Sequence, residues 1–286
     1  MTNIAKLDTE MLEKVIRTLN KVKSEKPLVH CITNRVTIGD CANMLLAMGA
    51  SPIMAEDDRE VQEIVSICNG LVLNMGIAMT DPIVRAMKLA GAKAKELNIP
   101  IIFDPVGAGA SRIRNEMVTM ILNDIKPDVI RGNMSEIKAV SGYTIESKGV
   151  DASANDVVTT ENMHELGNMV KDLASKYSCV VCATGETDII SNGKDVHFVK
   201  NGHKMLCDVT GTGCMCSAMT GATCAVGDNL VGAIAAVVQL GLAGEYAQNY
   251  VDSENSGIGT FRIKLLDYIY TLSDDEFNKG GKVYGG

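Results

Sequence analysis

Short apolar runs alternate with stretches of helical periodicity, and that alternation restricts the fold more than any other feature of the chain. Runs at Leu28–Thr33, Pro52–Met54, Gly70–Asn74, Pro100–Asp104, Asp128–Arg131 and Cys179–Thr184 read as strands. Helical patterns cover Thr37–Met48, Asp57–Cys68, Asp81–Leu97, Glu116–Asp124, Ser135–Ser141 and Glu161–Ser175. The early runs, such as LVLN and IIFD, are continuously apolar, the pattern of parallel strands covered on both faces. A later pair, Thr187–Ser191 and Asp195–Val199, is joined through Asn192-Gly193, whose turn chemistry predicts a hairpin. From Thr212 the pattern is helical: one helix to about Val226, another through Val251, a third over Gly259–Thr271. The expected fold is α/β: a mainly parallel central sheet flanked by helices, with antiparallel strands at one edge. No internal repeat or low-complexity linker divides residues 1–286, so one domain is expected; Ser147–Thr160 is polar and reads as a longer loop.

Composition narrows the function classes. The chain carries a net charge of −8, has no run of Lys or Arg, lacks Trp and is only 4% aromatic, which argues against nucleic acid as a partner. Its N-terminal segment alternates charged and apolar residues and has no signal-peptide core. The longest apolar tract, around Leu230–Gly244, is broken by Gln239 and reads as too short for a membrane span. A cytosolic protein is expected. Its 9 cysteines are expected to be free thiols. Cys179 and Cys182 would face opposite sides of a strand, Cys214 and Cys216 diverge on a helix, and the four histidines show no ligand spacing. No structural transition-metal site is expected.

Chemistry-bearing residues sit where the strands end: Thr33-Asn34, Asn74, Asp104-Pro105, Arg131-Gly132-Asn133 and Thr184-Gly185. In an open α/β sheet these ends line the binding crevice. The turn Asp208-Val-Thr-Gly-Thr-Gly-Cys214 leads into a small-residue helix. Its glycines and the helix N-terminus favour an anion, most simply a phosphoryl group. A thiol placed there has its pKa lowered. Asp104-Pro-Val-Gly-Ala-Gly-Ala110 offers GxG but has Arg112 where a third glycine belongs, which argues against dinucleotide binding. No P-loop spacing occurs. Asp104 suits either Mg²⁺ through water or a turn cap. Asn133 and Glu136 fit a capping box and a functional pair equally. Arg131, ending an apolar strand, needs a partner, and phosphate is one option.

Seven segments, in order, carry a resemblance: VHCITN at 29–34, GASPIMA at 49–55, DPVGAGAS at 104–111, IRGNMSEI at 130–137, ATGE at 183–186, NGHK at 201–204 and VTGTGC at 209–214. Together they resemble the hydroxyethylthiazole kinases, ribokinase-like enzymes of thiamine salvage, over about Val29–Phe261. Met134 stands where a smaller residue is expected. The resemblance implies ATP-dependent phosphorylation of 4-methyl-5-(2-hydroxyethyl)thiazole, with Mg²⁺, and a homotrimer with active sites between subunits. It implies ATP contacts at Arg131 and Thr184. Thiazole-alcohol contacts would lie at Met54 and Gly211, with Asn34 beside them. An acidic pair for Mg²⁺ is implied at Asp104 and Glu136, and Cys214 in the general-base position. Alternatives in the same superfamily are a hydroxymethylpyrimidine or pyridoxal kinase and an ATP-dependent dehydratase of hydrated nicotinamide nucleotides; outside it, a non-catalytic thiazole- or nucleotide-binding regulator.

Overall fold

Nine strands among the described residues pair into one sheet. Strand β1 (Leu28–Ile32) lies between β2 (Ser51–Ile53) and β3 (Gly70–Asn74), and the sheet continues through β4 (Ile101–Asp104), β5 (Val129–Asn133) and β6 (Val180–Thr184). Every pairing in this part is parallel. Strands β7 (Asp188–Ser191), β8 (Val196–Val199) and β9 (Val283–Gly285) follow, each antiparallel to its neighbour. The computed structural model describes residues 6–142, 158–159 and 162–285.

Helices cover both faces, which is why the strands are apolar at consecutive positions. One face packs against α1 (Thr9–Glu25), α2 (Ile38–Ala47), α8 (Thr212–Ala225), α9 (Asn229–Ser253), α10 (Ile258–Thr271) and α11 (Asp274–Gly280). The other packs against α3 (Val61–Ser66), α4 (Asp81–Glu96), α5 (Arg112–Met120), α6 (Met134–Ser141) and α7 (Met163–Tyr177). Strand residues alternate between the two cores: Val72 joins the first, Leu71 and Leu73 the second. Cys182 and Cys179 likewise fall in different cores, so the CxxC spacing brings no thiols together. Among the described residues no group of three or more His, Cys, Asp or Glu could hold a metal.

Helix α8 is the element that places the site. It is buried over ten consecutive residues, Met215–Cys224, and lies directly on the sheet. A Cβ on Gly221 would meet Val72 Cγ2 at 2.7 Å and Val29 Cγ1 at 2.9 Å, so only glycine lets the helix approach β1 and β3 this closely.

Several boundaries differ from the sequence reading. Helix α5 starts at Arg112, four residues earlier than expected, because the Ser111 hydroxyl accepts from Arg114 N–H; it then runs into a π-turn at Ile121–Ile125. Helix α3 is shorter than Asp57–Cys68 because Asp57 anchors a turn, its carbonyl accepting from Glu60 and Val61. The tract taken as too short for a membrane span lies in a 25-residue helix, α9, long and apolar enough to cross one; 83% of its apolar window is buried inside the fold instead. Helix α11 and strand β9 were not anticipated; β9 pairs Val283 with Val199, a contact too distant for local patterning. Most of Ser147–Thr160 lies outside the described residues.

Candidate active site

The first two turns of α8 gather residues from three strand ends. Gly211 caps the helix in the left-handed region (φ 85°). A Cβ there would fall 2.1 Å from Thr37 Cγ2, so the position requires glycine on two counts. Cys214 Sγ accepts from Asn34 Nδ2 at 3.2 Å. A Cβ on Gly213 would lie 2.9 Å from Arg131 Nη1, so the guanidinium is tucked beneath the turn. One helical turn on, Ser217 Oγ donates to Asp104 Oδ2 at 2.7 Å. The first N–H groups opening such a helix have no intrahelical acceptor.

Arg131 is buried and donates through Nη2 to Thr184 Oγ1 at 2.7 Å, joining β5 to β6. Its Nε has no partner although it is buried. The Cys216 thiol also lies against the guanidinium, so Arg131 places a buried positive charge beneath the α8 turn.

The two carboxylates differ. Asp104, buried at the end of β4, takes bonds from Asn74 Nδ2 (2.8 Å) and Ser217, both on Oδ2. Its pKa is pushed up to about 7, chiefly by burial and further by Glu136, against the pull of Arg131. Glu136 closes the capping box of α6: its Oε2 accepts from Asn133 N–H at 2.9 Å while Asn133 caps Glu136 N–H. Its Oε1 accepts from Gly107 N–H at 2.9 Å, tying the loop after β4 to α6. The cap is therefore real, and both oxygens are already committed to backbone amides, Oε2 in the cap and Oε1 at Gly107.

The Cys214 thiol is pushed above its ordinary value, first by burial and next by the Asp104 charge; Asn74, Thr37 and Arg131 pull it back only in part. The sequence reading expected the helix terminus to lower it. Burial outweighs that field here.

Met54 follows β2 and packs, half-buried, against the core on the same face as α8. Among the described residues it makes no hydrogen bond to the other site residues. A hollow of about 350 Å³ is lined by Arg35, Glu56, Asp58 and Arg85. Ion pairs Arg35–Glu56 and Arg85–Asp58, both 2.7 Å, line it. A larger groove of about 610 Å³, between Leu46, Tyr250, Lys264 and Tyr270, lies away from these residues, on α2, α9 and α10.

Sequence reasoning singled out Asn74 only as a strand end, and missed Ser217 and Thr37. Ser217 was accessible: it stands three residues after Cys214, on the same helical face. Thr37 was read only as a helix start.

The comparisons with known proteins agree with one another. The profile described as "Hydroxyethylthiazole kinase family" matches residues 19–275. A hydroxyethylthiazole kinase of Clostridium botulinum is 47% identical over 275 residues, 96% of this chain and 97% of that protein. The solved hydroxyethylthiazole kinase of Pyrococcus horikoshii superposes with a TM-score of 0.84 at 35% identity, covering 96% of this chain and 99% of that one. A ribokinase-like superfamily protein of Enterococcus faecalis shares the fold alone, with a TM-score of 0.61 at 15% identity over 92% and 94% of the two chains. With its nine-stranded mixed sheet and the strand ends collected at α8, the chain belongs to the hydroxyethylthiazole kinase family.

Proposed function

We propose that the chain, acting as one domain, transfers the terminal phosphoryl group of ATP to the hydroxyl of 4-methyl-5-(2-hydroxyethyl)thiazole in thiamine salvage. The observation that carries this reading is the convergence on α8: Gly211 against Thr37, Gly213 over Arg131, Cys214 against Asn34 and Ser217 on Asp104. Phosphoryl transfer needs in-line placement and neutralised charge more than covalent chemistry. Arg131 supplies positive charge to the ATP phosphates from beneath the α8 turn, and Thr184 orients its guanidinium from β6. The amides opening α8 stabilise charge on the group in transit. Met54 and Gly211 border the thiazole alcohol, with Asn34 behind them.

Mg²⁺ fits the donors present. It takes one or two carboxylates and completes its shell with water and phosphate oxygens. Among the described residues nothing hydrogen-bonds Asp104 Oδ1, whereas Glu136 acts with oxygens already committed to backbone amides, so Asp104 is the principal holder. Bound there, the ion would neutralise phosphate charge and draw the Asp104 carboxyl toward its ionised form.

Cys214 stands at the hydroxyl. The alcohol proton leaves late in a loose transition state, so the group need not be a strong base at rest. Its raised pKa is compatible with placing the hydroxyl first and taking the proton afterwards. A homotrimer is proposed from the family resemblance; exposed Leu46 and Tyr270, which line the 610 Å³ groove, offer apolar surface for a subunit contact. A cytosolic location accords with free cysteines throughout the described residues.

One assay tests the reading: ADP release with the thiazole alcohol, the hydroxymethylpyrimidine, pyridoxal and a hydrated nicotinamide nucleotide offered in parallel. Turnover of the thiazole alcohol at a kcat/KM at least about tenfold above the others is expected. No ADP with the thiazole alcohol would end the proposal.

A further inference from the structure

Asn34 and Cys214 come from opposite ends of the sequence, and the contact between them is controlled by a third residue. Asn34 Oδ1 accepts two bonds from Thr37, one from its N–H at 3.1 Å and one from its Oγ1–H at 3.0 Å. A backbone N–H can only donate, so the carboxamide cannot be turned over: Oδ1 must face Thr37 and Nδ2 must face away. Facing away brings Nδ2 to Cys214 Sγ at 3.2 Å. Thr37 is itself buried, and its γ-methyl is packed against Gly211, which fixes its rotamer with the hydroxyl toward Asn34. That hydroxyl accepts in turn from the Cys41 thiol at 3.9 Å. One threonine therefore touches both the turn that carries Cys214 and the amide that addresses its sulfur.

We propose that Thr37 is a positioning residue for phosphoryl transfer, and that Asn34 serves the Cys214 sulfur rather than the substrate. The inference rests on Cys214 being the partner of the substrate hydroxyl. An N–H directed at sulfur occupies one lone-pair direction and leaves another for the alcohol. It also favours negative charge on sulfur as the proton moves. The other groups around the sulfur are Thr37 itself, which also acts on the thiol directly, Cys41 from α2, Asn74 from β3, Asp104 from β4 and Arg131 from β5. The Thr37 hydroxyl therefore reaches the sulfur both directly and through Asn34; of the rest only Cys41 depends on it, and Cys41 remains a neutral, buried thiol with its pKa pushed up to about 12, chiefly by burial.

The test is kinetic and chemical. Thr37→Val keeps the volume and the methyl but removes the hydroxyl. It should lower kcat by roughly fivefold, the worth of one hydrogen bond, with KM for the thiazole alcohol changed less than about twofold. Thr37→Ser should return kcat to within about threefold of wild type. In a Cys214→Ala background the Thr37→Val step should disappear, because both act through one sulfur. Independently of turnover, the rate of iodoacetamide labelling at Cys214, read by peptide mass spectrometry, should fall in Thr37→Val while exposed Cys207 stays unchanged. A rise in KM at constant kcat would return Asn34 to the substrate and overturn the proposal. So would unchanged labelling of Cys214, or a serine variant as impaired as the valine one. If Cys214→Ala alone keeps wild-type kcat, the role of Cys214 is wrong, and the labelling rates still decide whether Thr37 controls the sulfur.

Discussion

The parallel and antiparallel parts of the sheet treat their polar residues in opposite ways. Strands β1, β3, β4, β5 and β6 all point the same way, so Asn34, Asn74, Asp104, Asn133 and Thr184 emerge along one edge. There they bond across elements: Asn34 to Cys214, Asp104 to Ser217, Thr184 to Arg131. In the β7–β8 hairpin the polar residues close on themselves. Ser191 Oγ donates to the Asp195 carbonyl, and Asn192 Oδ1 accepts from Lys194 and Asp195 N–H. Parallel strands leave their C-terminal groups unsatisfied on one side, beside helix N-termini, and a ligand can complete them. An antiparallel turn satisfies its own groups and leaves little for chemistry. Substitutions on the parallel side should therefore cost turnover, and those on the antiparallel side stability.

The largest effect belongs to Arg131. Replacement by Ala removes the phosphate contact and should lower kcat/KM for ATP by about 10³-fold. It also strips the cation from buried Asp104 and Asp188, so the variant should be less stable as well. Arg131→Lys separates the two effects. A lysine keeps the charge but loses the planar fork that reaches Thr184, so stability should largely return while activity remains about 10²-fold down. Steady-state kinetics in ATP and urea denaturation read the two quantities. A fully active lysine variant would mean that Arg131 supplies charge alone.

Cys214 comes next. Cys214→Ala should lower kcat by about 10- to 10³-fold, the span for losing a general base or the group that places the hydroxyl. Cys214→Asp should remain active, because a carboxylate can fill the same place. Wild-type turnover by the alanine variant would remove Cys214 from the chemistry and leave the parallel edge without a group at the alcohol.

Much of this division was legible in the sequence. Continuous apolar runs announced the parallel strands, Asn192-Gly193 announced the hairpin, and polar strand ends announced the crevice. The residues proposed for catalysis and phosphate came from strand ends and one glycine turn, where local chemistry is unusual. What was not legible depends on distance in the chain. Ser217 meets Asp104 across 113 positions, and Thr37 meets Gly211 only because α8 packs beside α2. The direction of the Cys214 pKa was misjudged for the same reason: a helix terminus is visible in sequence, but burial is a property of the finished core. Glu136 shows the converse limit, since a capping box and a metal carboxylate share one pattern.

Asp188 stands at the seam between the two parts, holding the β6–β7 turn by accepting from Gly185 N–H at 3.0 Å. Burial pushes its pKa up to about 7 from an ordinary 3.8, with the Gly185 bond and Arg131 opposing. Between about pH 4 and 7 the unfolded chain releases this proton while the folded chain keeps it. The folded state then binds more protons, so its stability falls as pH rises through that window and levels off above it. Asp188→Asn removes this slope. Urea denaturation at pH 5 and pH 7.5 should show the variant gaining about 2 kcal/mol on wild type between the two. The contribution of Asp104, present in both proteins, cancels in the difference. A pH-independent difference would mean that Arg131 already compensates the carboxylate fully.

Gly193 provides the smallest effect and the strictest test of the comparison. It sits in the left-handed region (φ 87°) at the β7–β8 turn, and an added Cβ would lie 2.9 Å from Ser175 N and 3.0 Å from Ser175 Cα. Those contacts are backbone atoms of α7, which no side-chain rotation relieves. Gly193→Ala should therefore cost about 1–2 kcal/mol, seen as a fall in Tm of roughly 3–6 °C. Its kcat and KM should match wild type, since the turn satisfies its own hydrogen bonds and its two strands carry no group proposed for catalysis. A fall in kcat beyond about twofold would show strain passing from β7 through β6 to Thr184 and Arg131. The antiparallel edge would then be part of the phosphate site, and the division between an edge for chemistry and an edge for stability would fail at β6.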